Sequence, residues 1–170
     1  FAEGLALVGE RLIQLTWKEQ VAFVYDRATF AELKRFDYRG EGWGLCYDGA
    51  RLVMSDGSSN LFFRDPTTFE VTGSVEVTRD GQPVTNLNEL ECVGGLVYAN
   101  VWQTSLILVI DPSTGAVRGV ADAAGLLAPE DHVPPAGMPA PDVLNGIAYD
   151  PLRETFLITG KRWPKLFEVR

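Results

Sequence analysis

The chain has 170 residues, of which 46% are hydrophobic and 22% charged, a composition typical of one globular domain with a sizeable core. Its formal net charge of −8 argues against a nucleic-acid partner, because phosphate binding needs clustered Lys and Arg side chains. No apolar run reaches the roughly 18 residues of a membrane-spanning helix. The sequence therefore predicts neither a nucleic-acid nor a membrane partner.

One short pattern occurs four times along the chain. Each copy opens with polar residues and one apolar residue, and these four apolar residues are Leu5, Leu45, Leu90 and Ile147. Two apolar runs follow in every copy, at residues 12–17 and 21–26, 52–56 and 61–65, 96–100 and 107–111, and 156–159 and 166–169. The third copy is the clearest, since Gly94-Gly95 supplies the tight turn of a β-hairpin. The copies follow one another at intervals of roughly 40 to 57 residues, a spacing within or near that of repeat proteins.

Each copy therefore predicts three short strands. A fourth strand is predicted after each of the first three copies, at residues 29–36, 69–77 and 116–120. Asp65-Pro66 and the segment from Asp111 to Gly115 have the residues of β-turns between the third and fourth strands. Helical periodicity is absent over any useful length. Four-stranded units at this spacing predict an all-β fold, a β-propeller with about four blade units in a single domain over residues 1–170. A β-sandwich would also have many short strands, but it would not repeat the same pattern.

Two segments interrupt the repeats. Residues 79–85 are polar and predict a hairpin-like insertion before the third unit. Residues 121–141 are rich in Ala, Pro and Gly and predict a surface excursion, with one helical turn around residues 125–128. His132 is the only histidine and lies in this excursion, where a solvated role is the simplest expectation.

The chain has two cysteines, Cys46 and Cys92, both in apolar strand-like runs and neither in a CxxC pair. Two buried free thiols are the interpretation that the sequence favours, with a bridge as the open alternative.

Polar and aromatic residues recur where the predicted innermost strands begin and where the second strands end. In a propeller these positions converge from every blade. They hold Phe1, Glu3, Glu41, Trp43, Asn88, Glu89 and Asn145 at strand starts, and Trp17, Trp102 and Lys161 at strand ends. An aromatic wall with a few polar groups is what a small-molecule pocket requires, and a carboxylate enclosed there would have a raised pKa. The alternative is structural: the tryptophans would pack between blades, and Glu41 and Glu89 would bind neighbouring turns.

These residues lie in motifs that together resemble the plant and bacterial type of glutaminyl cyclase, the glutamine cyclotransferase family of five-bladed β-propellers. The resemblance covers essentially the whole chain. The motifs, in order, are Phe1-Ala-Glu-Gly-Leu, Leu15-Thr-Trp, Gly42-Trp-Gly-Leu, Asn88-Glu-Leu-Glu, Tyr98-Ala-Asn-Val-Trp, Ile110-Asp-Pro, Leu144-Asn-Gly-Ile-Ala-Tyr-Asp, Thr159-Gly-Lys and Trp163-Pro-Lys.

The resemblance implies an enzyme that converts the N-terminal Gln of peptides or proteins to pyroglutamate and releases ammonia, with no metal or other cofactor. By motif, Glu3 is the proton-transferring carboxylate. Asn88 and Lys161 would bind the amide or its developing oxyanion, and Phe1 would pack at the pocket floor. The tryptophans Trp17, Trp43 and Trp102 would form the wall. The resemblance also implies a monomer that is secreted or periplasmic.

The family pattern has one blade before this region, and the last repeat here has only three strands. We therefore expect a partial chain, without the N-terminal blade and the end of the last one, and without activity by itself. Two other functions stay open on the residues. A non-enzymatic propeller could bind peptides or partner proteins through its channel face. A metal-dependent hydrolase is disfavoured, because converging carboxylates and histidines are sparse in the sequence.

Overall fold

The computed structural model describes residues 1–134 and 136–170. The first blade is a four-stranded antiparallel sheet in chain order. Its strands are β1 (Ala2–Val8), β2 (Arg11–Thr16), β3 (Val21–Asp26) and β4 (Glu32–Asp37). Along β1 the side chains alternate between buried and exposed, because successive residues of a strand point to opposite faces.

The second and third blades have the same order. The second contains β5 (Leu45–Tyr47), β6 (Leu52–Ser55), β7 (Asn60–Arg64) and β8 (Val71–Glu76), and the hairpin β9 (Thr78–Arg79) and β10 (Gln82–Pro83) follows it. The third contains β11 (Leu87–Val93), β12 (Leu96–Val101), β13 (Leu106–Ile110) and β14 (Val117–Asp122). The predicted insertion at residues 79–85 is thus confirmed as a short hairpin.

The fourth blade has three described strands, β15 (Leu144–Asp150), β16 (Thr155–Gly160) and β17 (Phe167–Val169). The prediction of an all-β propeller with four blade units is confirmed. No helix in the described part of the chain has the length and apolarity needed to cross a membrane.

Three aspartates explain why the turn between the third and fourth strands repeats. Asp26 Oδ1 accepts the N–H groups of Ala28 and Thr29 at 3.1 and 2.8 Å. Asp65 and Asp111 cap the corresponding turns of the next two blades in the same way. An Asp side chain that accepts hydrogen bonds from backbone N–H groups two or three residues later in the chain stabilises a turn.

Two boundaries differ from the sequence-based expectations. The innermost strand of the second blade begins at Leu45 and not at Glu41, although the backbone groups of residues 42–44 bind the first blade and Ser55 of β6. The helical turn lies at Pro129–His132 and not at residues 125–128. Gly125 has a φ of +78°, which a right-handed turn excludes, and Pro129 suits the first position of a helix. His132 is exposed, as expected.

The core is divided among the interfaces between neighbouring blades. Between the first two blades, Ile13, Leu15 and Val24 pack with Leu52 and Met54. Two further clusters fill the interfaces of the second with the third blade and of the third with the fourth. Each blade therefore depends on its neighbours for burial of its apolar face.

The innermost strands β1, β5, β11 and β15 contact one another in this order around the axis. Glycines allow two of these contacts. A Cβ atom on Gly4 would lie 2.5 Å from the backbone nitrogen of Leu45, and one on Gly44 would collide with the carbonyl oxygen of Asn88. Ser55 reinforces the second contact, since its Oγ accepts the Gly44 N–H at 2.8 Å and donates to the Asn88 oxygen at 2.7 Å.

Cys46 and Cys92 form a disulfide, so the favoured expectation of two free thiols is wrong. Cys46 is on β5 and Cys92 is on β11, and the close approach of these innermost strands places their Cα atoms 5.5 Å apart. This separation is the usual one for a disulfide. The bond joins the second and third blades.

Candidate active site

One cavity of about 200 Å³ is lined by Phe1, Glu3, Trp17, Trp43, Asn88, Trp102 and Lys161. These are the seven residues to which the family resemblance gives roles in the pocket. Glu3 and Asn88 lie near the beginnings of innermost strands, and Trp17, Trp102 and Lys161 directly follow second strands. The two positions meet at one end of each blade because the hairpin between them turns at the other end. The structure brings all seven together, while their chemical roles stay a prediction.

Three tryptophans and a phenylalanine form the apolar wall of this cavity. Trp43 and Trp102 pack edge to face with ring centroids 5.5 Å apart, a favourable geometry for aromatic pairs. Phe1 packs against Trp17 at 6.5 Å. Phe1 is 71% exposed in this chain, and its place at the pocket floor stays a prediction.

Glu3 is the partly buried carboxylate of the cavity. Burial raises its pKa, because an apolar environment disfavours the ionised form. The positive charge of Lys161 lowers it in part. The net direction agrees with the expectation for a carboxylate enclosed by aromatic rings, and it moves the group toward the range useful for proton transfer.

Asn88 is almost fully buried, and its Oδ1 accepts no hydrogen bond from any described residue. Its backbone is fixed by Ser55, as described above. Because a half-turn of a carboxamide exchanges its oxygen and its NH₂ group, Asn88 can present a donor or an acceptor to a ligand. Lys161 is held by backbone hydrogen bonds with Asp142 and Val143, and its ammonium group lies 6.0 Å from the Phe1 ring centroid.

Comparison with known proteins places this geometry in a family. The model of the glutamine cyclotransferase family matches residues 1–170. This chain belongs to the glutamine cyclotransferase family. It is 41% identical over 175 residues to the glutaminyl-peptide cyclotransferase of Arabidopsis thaliana, covering 100% of this chain and 52% of that relative. The chain therefore spans about half the length of this curated relative.

Solved structures agree with this assignment. The crystal structure of Myxococcus xanthus glutaminyl cyclase is similar with a TM-score of 0.91 and 48% identity, over 100% of this chain and 72% of that one. The computationally designed Ika4 protein is similar with a TM-score of 0.53 and 14% identity, over 100% of this chain and 92% of that one. The second likeness concerns the fold alone.

This member of the glutamine cyclotransferase family has two further carboxylates near the site, for which the sequence predicted no role in the chemistry. Glu89 lies with Glu3, Asn145 and Lys161 around an adjoining cavity of about 440 Å³. Burial, then the negative charges of Glu3 and Glu91, raise the pKa of Glu89 to about 8. Its side chain binds no turn among the described residues, so the structural expectation for Glu89 is wrong. The sequence does contain a signal for these carboxylates, since Glu89 and Glu91 are two residues apart in an innermost strand.

Glu91 is also on β11, and its Oε1 accepts the N–H of Tyr149 on β15 at 3.3 Å. Burial raises the pKa of Glu91 from 4.5 to about 7. The bond joins the third and fourth blades. Among residues 1–134 and 136–170, these acidic groups do not form a cluster of three or more His, Cys, Asp or Glu side chains suited to a metal ion.

Stability is expected to fall as the pH rises from about 5 to 8. Glu91 and Glu89 keep their protons up to pH values near 7 and 8 in the folded protein, whereas in the unfolded chain they lose them near 4.5. The folded state therefore binds more protons in this window, so the free energy of unfolding decreases with pH. Glu91→Gln should weaken this decrease and be more stable than the parent at pH 8, because the amide oxygen can still accept the Tyr149 N–H.

Urea unfolding at pH 5, 6, 7 and 8 measures this effect. The control is Glu154→Gln, which changes an exposed residue in the turn between β15 and β16. The control should keep the parent's pH dependence. An unchanged slope in Glu91→Gln would show that burial of this carboxylate does not penalise folding.

Proposed function

We propose that the protein is a glutaminyl-peptide cyclotransferase, which acts on peptides or proteins that begin with Gln. The α-amine nitrogen forms a bond to the γ-carbonyl carbon of the same residue. The bond from that carbon to the amide nitrogen then breaks, and ammonia leaves a pyroglutamyl peptide. The observation that carries this proposal is the partly buried Glu3 in a small tryptophan-walled cavity, together with the family assignment.

The cavity supports recognition of one terminal residue. Its volume of about 200 Å³ lies below the roughly 300–1,000 Å³ of pockets for drug-sized ligands. Trp17, Trp43 and Trp102 would enclose the aliphatic part of the glutamine and hold it folded, with the amine close to the side-chain carbonyl carbon. Ring closure gains from such positioning, since the reacting groups belong to one molecule and no covalent enzyme intermediate is needed.

Glu3 would move the protons of the reaction. Its ionised form takes a proton from the amine as the new bond forms and returns one to the departing nitrogen, so the carboxylate is regenerated in each turnover. Lys161 and Asn88 line the same cavity and would donate hydrogen bonds to the γ-carbonyl oxygen as negative charge develops on it. Each of these steps uses a residue that is present in this chain.

We also propose an oxidising compartment, either extracellular or periplasmic. The Cys46–Cys92 disulfide supports this location, because structural disulfides persist outside the reducing cytosol.

Ammonia release from a Gln-Gly dipeptide by the intact protein tests the proposed activity. We expect ammonia and pyroglutamyl product in equal amounts. Acetyl-Gln-Gly lacks the free amine, and Asn-Gly is one methylene short of a five-membered lactam with its own α-amine, so neither should release ammonia faster than in the absence of protein. Binding of Gln-Gly without ammonia release would overturn the proposal and leave a non-enzymatic peptide-binding propeller.

A further inference from the structure

Glu41 is absent from the pocket lining but binds two of the tryptophans that form it. One oxygen of its carboxylate, Oε2, accepts the indole N–H of Trp17 at 2.6 Å and that of Trp43 at 2.9 Å. Trp17 follows β2 of the first blade, and Trp43 precedes β5 of the second blade. A single atom thus joins two walls of the pocket that belong to different blades.

We propose that Glu41 is a positioning residue that sets the aromatic wall of the substrate pocket by holding the Trp17 and Trp43 indole rings together. The role rests on the proposed function, because the wall matters only if the cavity binds substrate. Glu41 is absent from the lining of that cavity, so it would act on the substrate only through the two rings.

Trp17 depends strongly on this contact. It is 38% exposed, so packing alone restrains its ring only in part. The ammonium group of Lys18 lies 3.9 Å from the Trp17 ring centroid and 3.7 Å from Glu41 Oε1, which adds a second link between the carboxylate and the ring. The indole plane is therefore fixed at its N–H edge and covered on one face.

Trp43 transmits the position to the third tryptophan of the wall. Its ring lies against the backbone of Gly57, where a Cβ atom would come within 2.6 Å of it, and its edge contacts the Trp102 ring. A shift of Trp43 away from Glu41 would therefore move it against Trp102. Through these contacts the Glu41 carboxylate positions all three tryptophan rings of the pocket wall.

The charge of Glu41 suits this role. Hydrogen bonds from Trp43 and Trp17, followed by the nearby Lys18 charge, hold the pKa of its carboxyl below the usual range. It stays ionised at neutral pH, and hydrogen bonds to an ionised acceptor are stronger than those between neutral groups. Trp17 and Lys18 lie in the turn between β2 and β3, so Glu41 binds the neighbouring turn, as the structural alternative expects, but through side chains of that turn.

Glu41→Gln in the intact protein tests the role. Glutamine keeps the shape but has one neutral acceptor and adds an NH₂ group, so both indole bonds cannot persist unchanged. In ¹H–¹⁵N spectra we expect the indole signals of Trp17 and Trp43 to shift and that of Trp163 to stay. We expect KM for Gln-Gly to rise about 5- to 30-fold and kcat to change less than about 3-fold, since the wall binds ground and transition states alike.

Two variants separate this effect from general changes of charge. Glu10→Gln removes a carboxylate that pairs with Arg27 at 3.0 Å on the surface, and it should change neither the indole signals nor KM. Trp17→Phe removes one indole donor. Combined with Glu41→Gln, it should raise KM by less than the product of the two single effects, because the two changes break a shared interaction.

The outcomes decide separately on this inference and on the proposed function. Unchanged indole signals in Glu41→Gln would show that the hydrogen bonds do not exist in solution. Shifted signals with an unchanged KM would show that they do not position the substrate. If the parent protein does not turn over Gln-Gly at all, the proposed function fails, while the indole signals still decide whether Glu41 holds the rings.

Discussion

Replacing Glu3 with Gln is expected to lower kcat for Gln-Gly by about 10²–10⁴-fold, the range in which a general acid or base contributes to catalysis. Glutamine has nearly the same shape but can neither take the amine proton nor return one to the leaving nitrogen. Peptide binding should persist, because the three tryptophans of the wall are unchanged. Ammonia release measures turnover, and quenching of tryptophan fluorescence measures binding.

The control for this experiment is Glu32→Gln. Glu32 is an exposed residue on β4 whose carboxylate forms an ion pair with Arg35. The pocket residues of the same blade lie on or beside β1 and β2. It should keep the parent's turnover. Glu89→Gln provides the sharper comparison, because Glu89 shares the adjoining cavity with Glu3. Full activity in Glu3→Gln, with loss in Glu89→Gln, would move the proton-transfer role to Glu89.

Removal of the disulfide should have the largest effect on stability. Cys46 and Cys92 are 46 residues apart in sequence, so their bond closes a long loop in the unfolded chain. Losing a bond of this kind typically costs about 2–4 kcal/mol. For a protein of 150 to 250 residues this corresponds to a decrease in Tm of about 5–15 °C. Thermal unfolding of the Cys46→Ala/Cys92→Ala double variant of the intact protein measures it.

Reduction of the parent protein should reproduce the loss, while a reducing agent should leave the Tm of the double variant unchanged. The same variant informs on the active site. The bond joins β5 to β11, the strand that carries Asn88, so a shift of this strand should raise KM together with the loss of stability. Equal Tm values for the parent and the double variant would show that the blade interface is held by packing alone.

The arrangement of strands could be predicted because it is a local property. Alternating apolar residues and the turn-forming Asp26, Asp65 and Asp111 are written in each repeat, and each turn forms from neighbouring residues. The beginning of β5 could not be predicted this way. Residues 41–44 continue the repeated pattern, but their backbone groups divide their hydrogen bonds between the first blade, at Trp17 and Gly4, and Ser55 of β6.

Contacts between blades were the part that the sequence could not supply. The pairing of Cys46 with Cys92 depends on how closely β5 approaches β11, which no pattern within one repeat specifies. The hydrogen bonds of Glu41 with two indole groups have the same origin. The convergence of the pocket residues could be predicted, because propeller geometry brings the same position of each repeat to one place.

The glycines between innermost strands have a consequence for the reaction itself. Glu3 and Asn88 are separated by two steps around the axis, and Gly4 and Gly44 let the backbones of these steps touch directly. The separation between the backbones that carry Glu3 and Asn88 is thus set by two direct backbone contacts. A methyl group at either glycine would have to widen the ring or tilt a blade. A displacement near 1 Å can cost about 10²-fold in rate. The catalytic geometry is therefore sensitive to residues that never touch the substrate and carry no side chain.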